Sequence, residues 1–282
     1  MRTSREVGRH AVIDAVLGRK LADRLDRLVW RDAGHGYDRL GLSPNWVRAS
    51  VAASRFLYEA YFRVTSHGIE NVPRRGAALV AANHSGMLPI DGAMLYLDLV
   101  RRLDPPRVPR IVADLFVPRL PFVFTFMNRI GVVGGDRRTM HHLLESGELV
   151  VVFPEGTPGI GKPFSERYRL RPFRVGHAEL ALRHRAPVVP VGIVGAEEQW
   201  PQLGRIERFH LFGAPYLPVP ATPFPLPVRY HVWYGEPLLL HERFSPADAD
   251  DPDVAEEAAS VVQTAVQLLV ERGLEERKGV FR

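Results

Sequence analysis

Apolar and polar positions follow two different rhythms along the 282 residues. In the first sixty or so the rhythm is helical. Val12, Ile13, Val16, Leu17, Leu21, Leu25 and Leu28 recur at helical spacing, with Arg9, Arg19, Lys20, Arg24 and Arg27 mostly on other faces, which predicts a helix over 5–30. Asp32 to Ser43 is a Gly-rich connection. Ser43 suits an N-cap and Pro44 a first helical position, so a second helix is expected from there to about Phe62. It is rich in aromatics: Trp46, Phe56, Tyr58, Tyr61 and Phe62. Basic or aromatic amphipathic helices suit a membrane interface, and the same stripes suit packing on the protein's own core.

From Val64 onward short apolar runs alternate with helical stretches. Strands are predicted at Arg63–His67, Ala77–Ala82, Arg110–Ala113, Gly131–Val133, Leu149–Phe153, Val188–Val194 and Arg229–Tyr234. Helices fit at Pro89–Arg102, Thr139–Glu145, Arg174–His184 and Val254–Glu276. Unbroken apolar strands such as Val150-Val151-Val152-Phe153 need a sheet covered on both faces. The fold class is therefore α/β: a mixed, mostly parallel central sheet flanked by helices, with an N-terminal amphipathic helical segment. Residues 1–63 are expected as that segment, a membrane-interface anchor, and 64–282 as the α/β domain. Residues 201–228 hold many prolines and read as a long loop or lid.

Charge adds to this picture. Against 32 acidic residues stand 37 basic ones, a net +5, and only Lys20, Lys162 and Lys278 among them are lysines. Such a surplus suits anionic surfaces, and without a zinc-finger, RNP or P-loop pattern a membrane is a better partner than nucleic acid. The absence of cysteine excludes disulfides, thiol catalysis and Cys-based metal sites, and fits a reducing compartment. No signal peptide is expected, since the basic start leads into a mixed helix. Phe122 to Gly135, the nearest to a membrane span, is too short and carries Arg129. The expected location is cytoplasmic, peripherally bound to the inner face of the membrane.

Three constellations carry candidate chemistry. In Asn83-His84-Ser85-Gly86-Met87-Leu88-Pro89-Ile90-Asp91, a histidine stands at a strand end and a carboxylate in the first turn of a helix. A neutral imidazole can take a hydroxyl proton, and a carboxylate holds its tautomer and stabilises the imidazolium. A capping or loop role for His84 is the plainer alternative. In Phe153-Pro154-Glu155-Gly156-Thr157, the sheet topology puts Glu155 on the same edge as His84, and Gly156 permits close approach to a backbone whose N–H groups could meet an oxyanion. In 128–138, glycines stand beside Arg137 and Arg138, an arrangement suited to an anion. Solvated surface turns explain the last two equally well when each is taken alone. The pair His141-His142 lacks a third metal ligand, and Ser85 lacks a nucleophile elbow.

Taken together, and with Val188-Val189-Pro190-Val191-Gly192 in a fourth strand, these motifs resemble the glycerolipid acyltransferase superfamily over roughly residues 64–240. Asn83–Gly86, the run from Gly156 to Lys162-Pro163-Phe164, and Gly195-Ala196-Glu197-Glu198 resemble the bacterial lysophospholipid acyltransferases related to mono- and diacylglycerol acyltransferases. The resemblance implies direct acyl transfer from acyl-CoA or acyl carrier protein, as co-substrate, to a glycerolipid hydroxyl, with no metal or other cofactor. It implies His84 as base and Asp91 as its partner, and Gly131, Arg137, Glu155, Gly156, Thr157 and Lys162 as acceptor-binding elements. Oxyanion donors would be backbone N–H groups near Gly156 or Gly86, and activity would fall below about pH 6.5.

Two departures stand out. The family spacing is His–x4–Asp, whereas here it is His–x6–Asp, so a bulge around Gly86–Leu88 must deliver Asp91 to the imidazole. Many relatives carry an acceptor-binding arginine after Phe-Pro-Glu-Gly-Thr; here Pro158 takes its place, leaving Lys162, Arg137 or Arg138 to supply the charge. The altered spacing also admits a non-catalytic lipid-binding protein, and water in place of the alcohol would make a lipid or thioester hydrolase.

Overall fold

The computed structural model describes residues 2–3, 11–85, 88–114, 117–119, 122–160, 162–206 and 217–282. A short strand β1 (Arg2–Thr3) pairs antiparallel with β2 (Val29–Trp30), and between them lie α1 (Ala11–Leu17) and α2 (Arg19–Leu25). The single helix expected over 5–30 is therefore interrupted: Gly18 adopts φ 77°, a left-handed value that no helix accommodates. Residues 4–10 of that expectation lie outside the described part. Next comes α3 (Pro44–Ala53), with Pro44 at its first position, followed by a π turn at Leu57–Tyr61.

The sheet and its helices then follow as β3 (Thr65–His67), β4 (Ala78–Ala82), α4 (Ile90–Arg102), β5 (Arg110–Ala113), α5 (Val123–Arg129), β6 (Val133–Gly134), α6 (Arg137–Glu145) and β7 (Leu149–Val152). After them come α7 (Thr157–Ile160), α8 (Gly176–His184), β8 (Val188–Val194), α9 (Ala196–Gln199), β9 (Gln202–Ile206), β10 (Leu217–Pro220), β11 (His231–Tyr234), α10 (Leu240–Arg243) and α11 (Pro252–Glu276). The seven strands lie in the order β3-β11-β8-β4-β7-β5-β6. Only the β11–β8 pairing is antiparallel, so the sheet is mixed and mostly parallel. Residues 201–228 do not form a plain loop, because β9 and β10 pair into an antiparallel ribbon; 207–216 lie outside the described residues.

Both faces of the sheet are covered, which is why β4, β7 and β8 read as unbroken apolar runs. Ala78, Val80, Ala82, Leu149 and Val151 point toward α4 and the N-terminal helices, while Leu79, Ala81, Val150 and Val152 point toward α6, α8 and α11. Leu17, Leu25, Val47 and Val51 belong to the first of these clusters, so the described part of residues 1–63 shares a core with the sheet. The parallel strands β4 to β8 all end at one edge, and the segments bearing His84, Asp114, Glu155 and Glu197 leave from it.

Helix α11 approaches β8 closely at Gly192, where a methyl group would stand 2.8 Å from the Leu269 carbonyl carbon. Gly192→Ala is expected to overpack this contact and cost about 1–3 kcal/mol, read as a lower urea midpoint with an unchanged m-value.

Candidate active site

Strand β4 ends in the middle of the sheet. Asn83 completes its pairing by side chain: Oδ1 accepts the Ile193 N–H at 2.7 Å and Nδ2 donates to the Ile193 carbonyl at 3.0 Å. The amide thus satisfies a β8 peptide while the backbone turns away, and His84 follows at the edge. Its Nδ1 lies 2.7 Å from Asp91 Oδ2, and the ring stacks on Phe153 at 4.3 Å. Asp91 is fully buried in the first turn of α4; Oδ2 also accepts the Ser85 N–H at 2.8 Å, and Oδ1 accepts the Gly92 N–H at 2.7 Å. The structure thus brings His84 and Asp91 together despite the longer spacing. Gly86 and Met87, on which a bulge was expected, lie outside the described residues.

A carboxylate only accepts hydrogen bonds, so the Nδ1–Asp91 contact puts the proton of a neutral His84 on Nδ1 and leaves Nε2 with its lone pair. Burial opposes charging the ring. Asp91's charge and hydrogen bond outweigh it, with Glu155 and Asp114 adding to them, and the imidazole pKa is raised above 6.5.

Glu155 holds His84 from behind. Its Oε1 accepts the His84 N–H at 2.9 Å, and its Oε2 accepts the Arg171 N–H at 2.7 Å and faces Lys162 Nζ at 3.4 Å. Lys162 Nζ also donates to Glu197 Oε1 at 3.0 Å and to the Arg169 carbonyl at 3.2 Å. Glu155 and Lys162, expected as acceptor-binding elements, have buried side chains enclosed as mutual counter-charges. Burial pushes the Glu197 carboxyl up to about 7, with Lys162 opposing.

Gly131 and Arg137, also expected as acceptor-binding elements, lie away from His84. Gly131 packs against Leu42, Val108 and the Pro109 carbonyl, beside the beginning of β5 and not its end. That is the opposite edge of the sheet, one strand length of about 3.3 Å per residue away from the level of His84. Arg137 starts α6 beside the outermost strand, β6, and its guanidinium is bound to Glu179 of α8, with Asp250 3.8 Å away. Gly156 follows Glu155 at the His84 edge, but its N–H donates to the Phe153 carbonyl at 2.9 Å and is not open to an oxyanion. Thr157 is half-buried at the start of α7. Outside the site, His141 Nδ1 pairs with His184 Nε2 at 2.8 Å, and no group able to hold a metal occurs among the described residues.

Two residues at the site escaped the sequence reading. Gly159 lies against the His84 backbone, since a methyl group there would stand 2.9 Å from the His84 carbonyl oxygen and 2.8 Å from Glu155 Cβ. Arg174, read only as a helix start, places its guanidinium over Gly156, where a methyl group would come within 2.7 Å of Cζ. Its side chain is 61% exposed and faces Asp114 at 3.5 Å, leaving most of its donors in solvent. The linear signal for Arg174 was only a positive charge before α8.

The family model described as Acyltransferase matches residues 63–194. An uncharacterized protein of Mycobacterium tuberculosis is 38% identical over 258 residues, covering 88% of this chain and 72% of that one. A human protein described as a DGAT1/2-independent enzyme synthesizing storage lipids is 27% identical over 212 residues, 73% of this chain and 60% of its own. Among solved structures, the 1-acyl-sn-glycerophosphate (LPA) acyltransferase PlsC of Thermotoga maritima superposes with TM-score 0.55 over 95% of this chain and 94% of its own, at 19% identity. At that identity the likeness concerns the fold.

Histidine NMR should place the His84 midpoint above 6.5 and show Asp91→Asn lowering it. Because the folded value is the raised one, the interaction adds stability that is fully present below the unfolded value near 6.5 and is lost as pH rises through the folded midpoint. Denaturant titrations across that window should show the dependence weakened in Asp91→Asn.

Proposed function

Since the chain belongs to the glycerolipid acyltransferase superfamily, we propose that it moves an acyl group from the thioester of acyl-CoA or acyl carrier protein to a glycerolipid hydroxyl, with His84 as general base. The observation that carries this reading is the 2.7 Å contact between Asp91 Oδ2 and His84 Nδ1 at the end of β4. Nε2 takes the acceptor's hydroxyl proton as its oxygen attacks the thioester carbonyl carbon. The tetrahedral intermediate collapses with cleavage of the C–S bond, and the imidazolium returns the proton to the leaving thiolate. Asp91 stabilises the imidazolium in between. That contact supports the transferase reading over a lipid-binding protein without catalysis, the alternative that the altered spacing admits.

Arg174 is the cation this reading assigns to an anionic group of the substrate. Lys162 is enclosed, and Arg137 stands on α6 beside the outermost strand, bound to Glu179, whereas Arg174, 61% exposed with Asp114 3.5 Å away, lies above Gly156 at the His84 edge. A guanidinium there suits a phosphate of the acceptor headgroup or of the donor.

Membrane contact is part of the same proposal. No helix among the described residues is long and apolar enough to cross a membrane. Trp46 and Phe126 meet edge to face at 5.9 Å and are both partly exposed, beside exposed Phe122 and Val123. An apolar surface of this kind on a chain of net charge +5 suits an anionic bilayer on the cytoplasmic side.

His84→Ala should reduce acyl transfer by about 10²–10⁴-fold, read as thiol release together with lipid product by mass, and parent-like turnover would overturn the assignment. Free fatty acid formed equally with and without acceptor would indicate a hydrolase instead. The acid limb of kcat/KM should have its midpoint above 6.5, higher than an unperturbed histidine gives. Arg174→Met should raise KM for the phosphate-bearing substrate by about tenfold or more, consistent with loss of a charge-assisted hydrogen bond. Phe122→Asp with Phe126→Asp should release the protein from sedimenting anionic vesicles.

A further inference from the structure

Behind His84 the end of β4 is tied to three other segments by one unbroken line of buried charge. The His84 N–H donates to Glu155 Oε1 at 2.9 Å, Glu155 Oε2 faces Lys162 Nζ at 3.4 Å, and Lys162 Nζ reaches Glu197 Oε1 at 3.0 Å. The side chains of Lys162, Glu155 and Glu197 are 1%, 0% and 6% exposed, so water does little to screen them. The line runs from β4 through the turn after β7 and the 156–171 loop to the first turn of α9. Gly159 seats the loop directly on Glu155 and His84, where not even a methyl group would fit.

We propose that Lys162 and Glu197 are positioning residues for His84, acting through Glu155. The inference rests on the reading of His84 as the base. One cation is shared by two carboxylates and lies nearer to Glu197 than to Glu155. Glu197 therefore sets where Lys162 stands, and Lys162 sets how much of the Glu155 charge is neutralised and how firmly its carboxylate is held. Glu155 in turn fixes the His84 backbone and bears on its ring. The other charged groups acting on that ring come from different elements: Asp91 on α4, and Asp114 at the end of β5 with Arg174 beside it.

An ordinary structural tether in the same loop provides the contrast. Tyr168 donates to Glu198 Oε2 at 2.6 Å and accepts the Gly195 N–H at 2.9 Å, while Arg277 grips Glu198 with bonds of 2.5 and 2.7 Å. Consecutive glutamates thus fasten one loop in two ways, and only the Glu197 side leads to the base.

The experiment is an NMR titration of His84 in the full-length chain labelled at histidine, alongside steady-state kinetics. Lys162→Met leaves Glu155 un-neutralised, so the His84 midpoint should rise. In Glu197→Gln the lysine is left to Glu155 alone, and the midpoint should fall. Lys162→Met should also lower kcat by about tenfold or more with KM little changed, and Lys162→Arg should restore part of it. Glu198→Gln should lower Tm and leave the His84 titration where it is. Parent-like titration and kcat in folded Lys162→Met would overturn the proposal. Should that variant not fold, an unmoved midpoint in Glu197→Gln would overturn it. The titration needs no substrate, so a failure of the transferase reading shows separately, as a parent protein that shifts as described but turns nothing over.

Discussion

A buried carboxylate at the start of α4 is the constraint on which the site depends. Asp91 has no contact with water, and its oxygens meet the His84 ring, the Ser85 N–H and the Gly92 N–H. A buried charge must be satisfied, and these partners satisfy it only if the loop between β4 and α4 returns upon itself. The same geometry that neutralises Asp91 therefore aims His84. A segment two residues longer than the family spacing thus still forms the contact, because the helix start is held to His84 and Ser85 by hydrogen bonds.

The second constraint is electrostatic. Asp91, Glu155 and Asp114 gather acidic charge around the His84 imidazole at the end of a parallel sheet, and the ring is raised toward its protonated form. Left unbalanced, such a cluster would destabilise the fold and hold the ring in its charged form. Lys162 within and Arg174 at the rim offset it from two sides, one enclosed and one open to solvent. Their different burial gives them different work: Lys162 holds protein groups in place, and Arg174 is free to meet an anion.

Much of the architecture was legible because it follows from local rules. Unbroken apolar runs required a sheet covered on both faces, and β4, β5, β7 and β8 lie within a residue of where those runs predicted them. Pro44 and Ser43 marked the start of α3 through backbone chemistry that any helix obeys. The expected helix over 5–30 failed at Gly18, where apolar periodicity continues across a backbone that does not. The β9–β10 ribbon was missed because prolines punctuate it and hide its alternation.

Which residues carry the chemistry divides along a similar line. That a histidine and a glutamate follow buried strands at one sheet edge is written in the chain, since the order of motifs and the parallel strand pattern are properties of the linear text. Which charges reach that edge depends on how the chain packs in three dimensions. Gly131 and Arg137 belong to a neighbouring motif, but strand register puts the first at the opposite edge and Glu179 holds the second. Lys162 is near in space yet closed off by Glu155 and Glu197, while Arg174, unremarkable in the linear text, lies across Gly156. The reason is physical: a motif records which groups are present, whereas the partner of a long charged side chain depends on burial and on carboxylates far away in sequence.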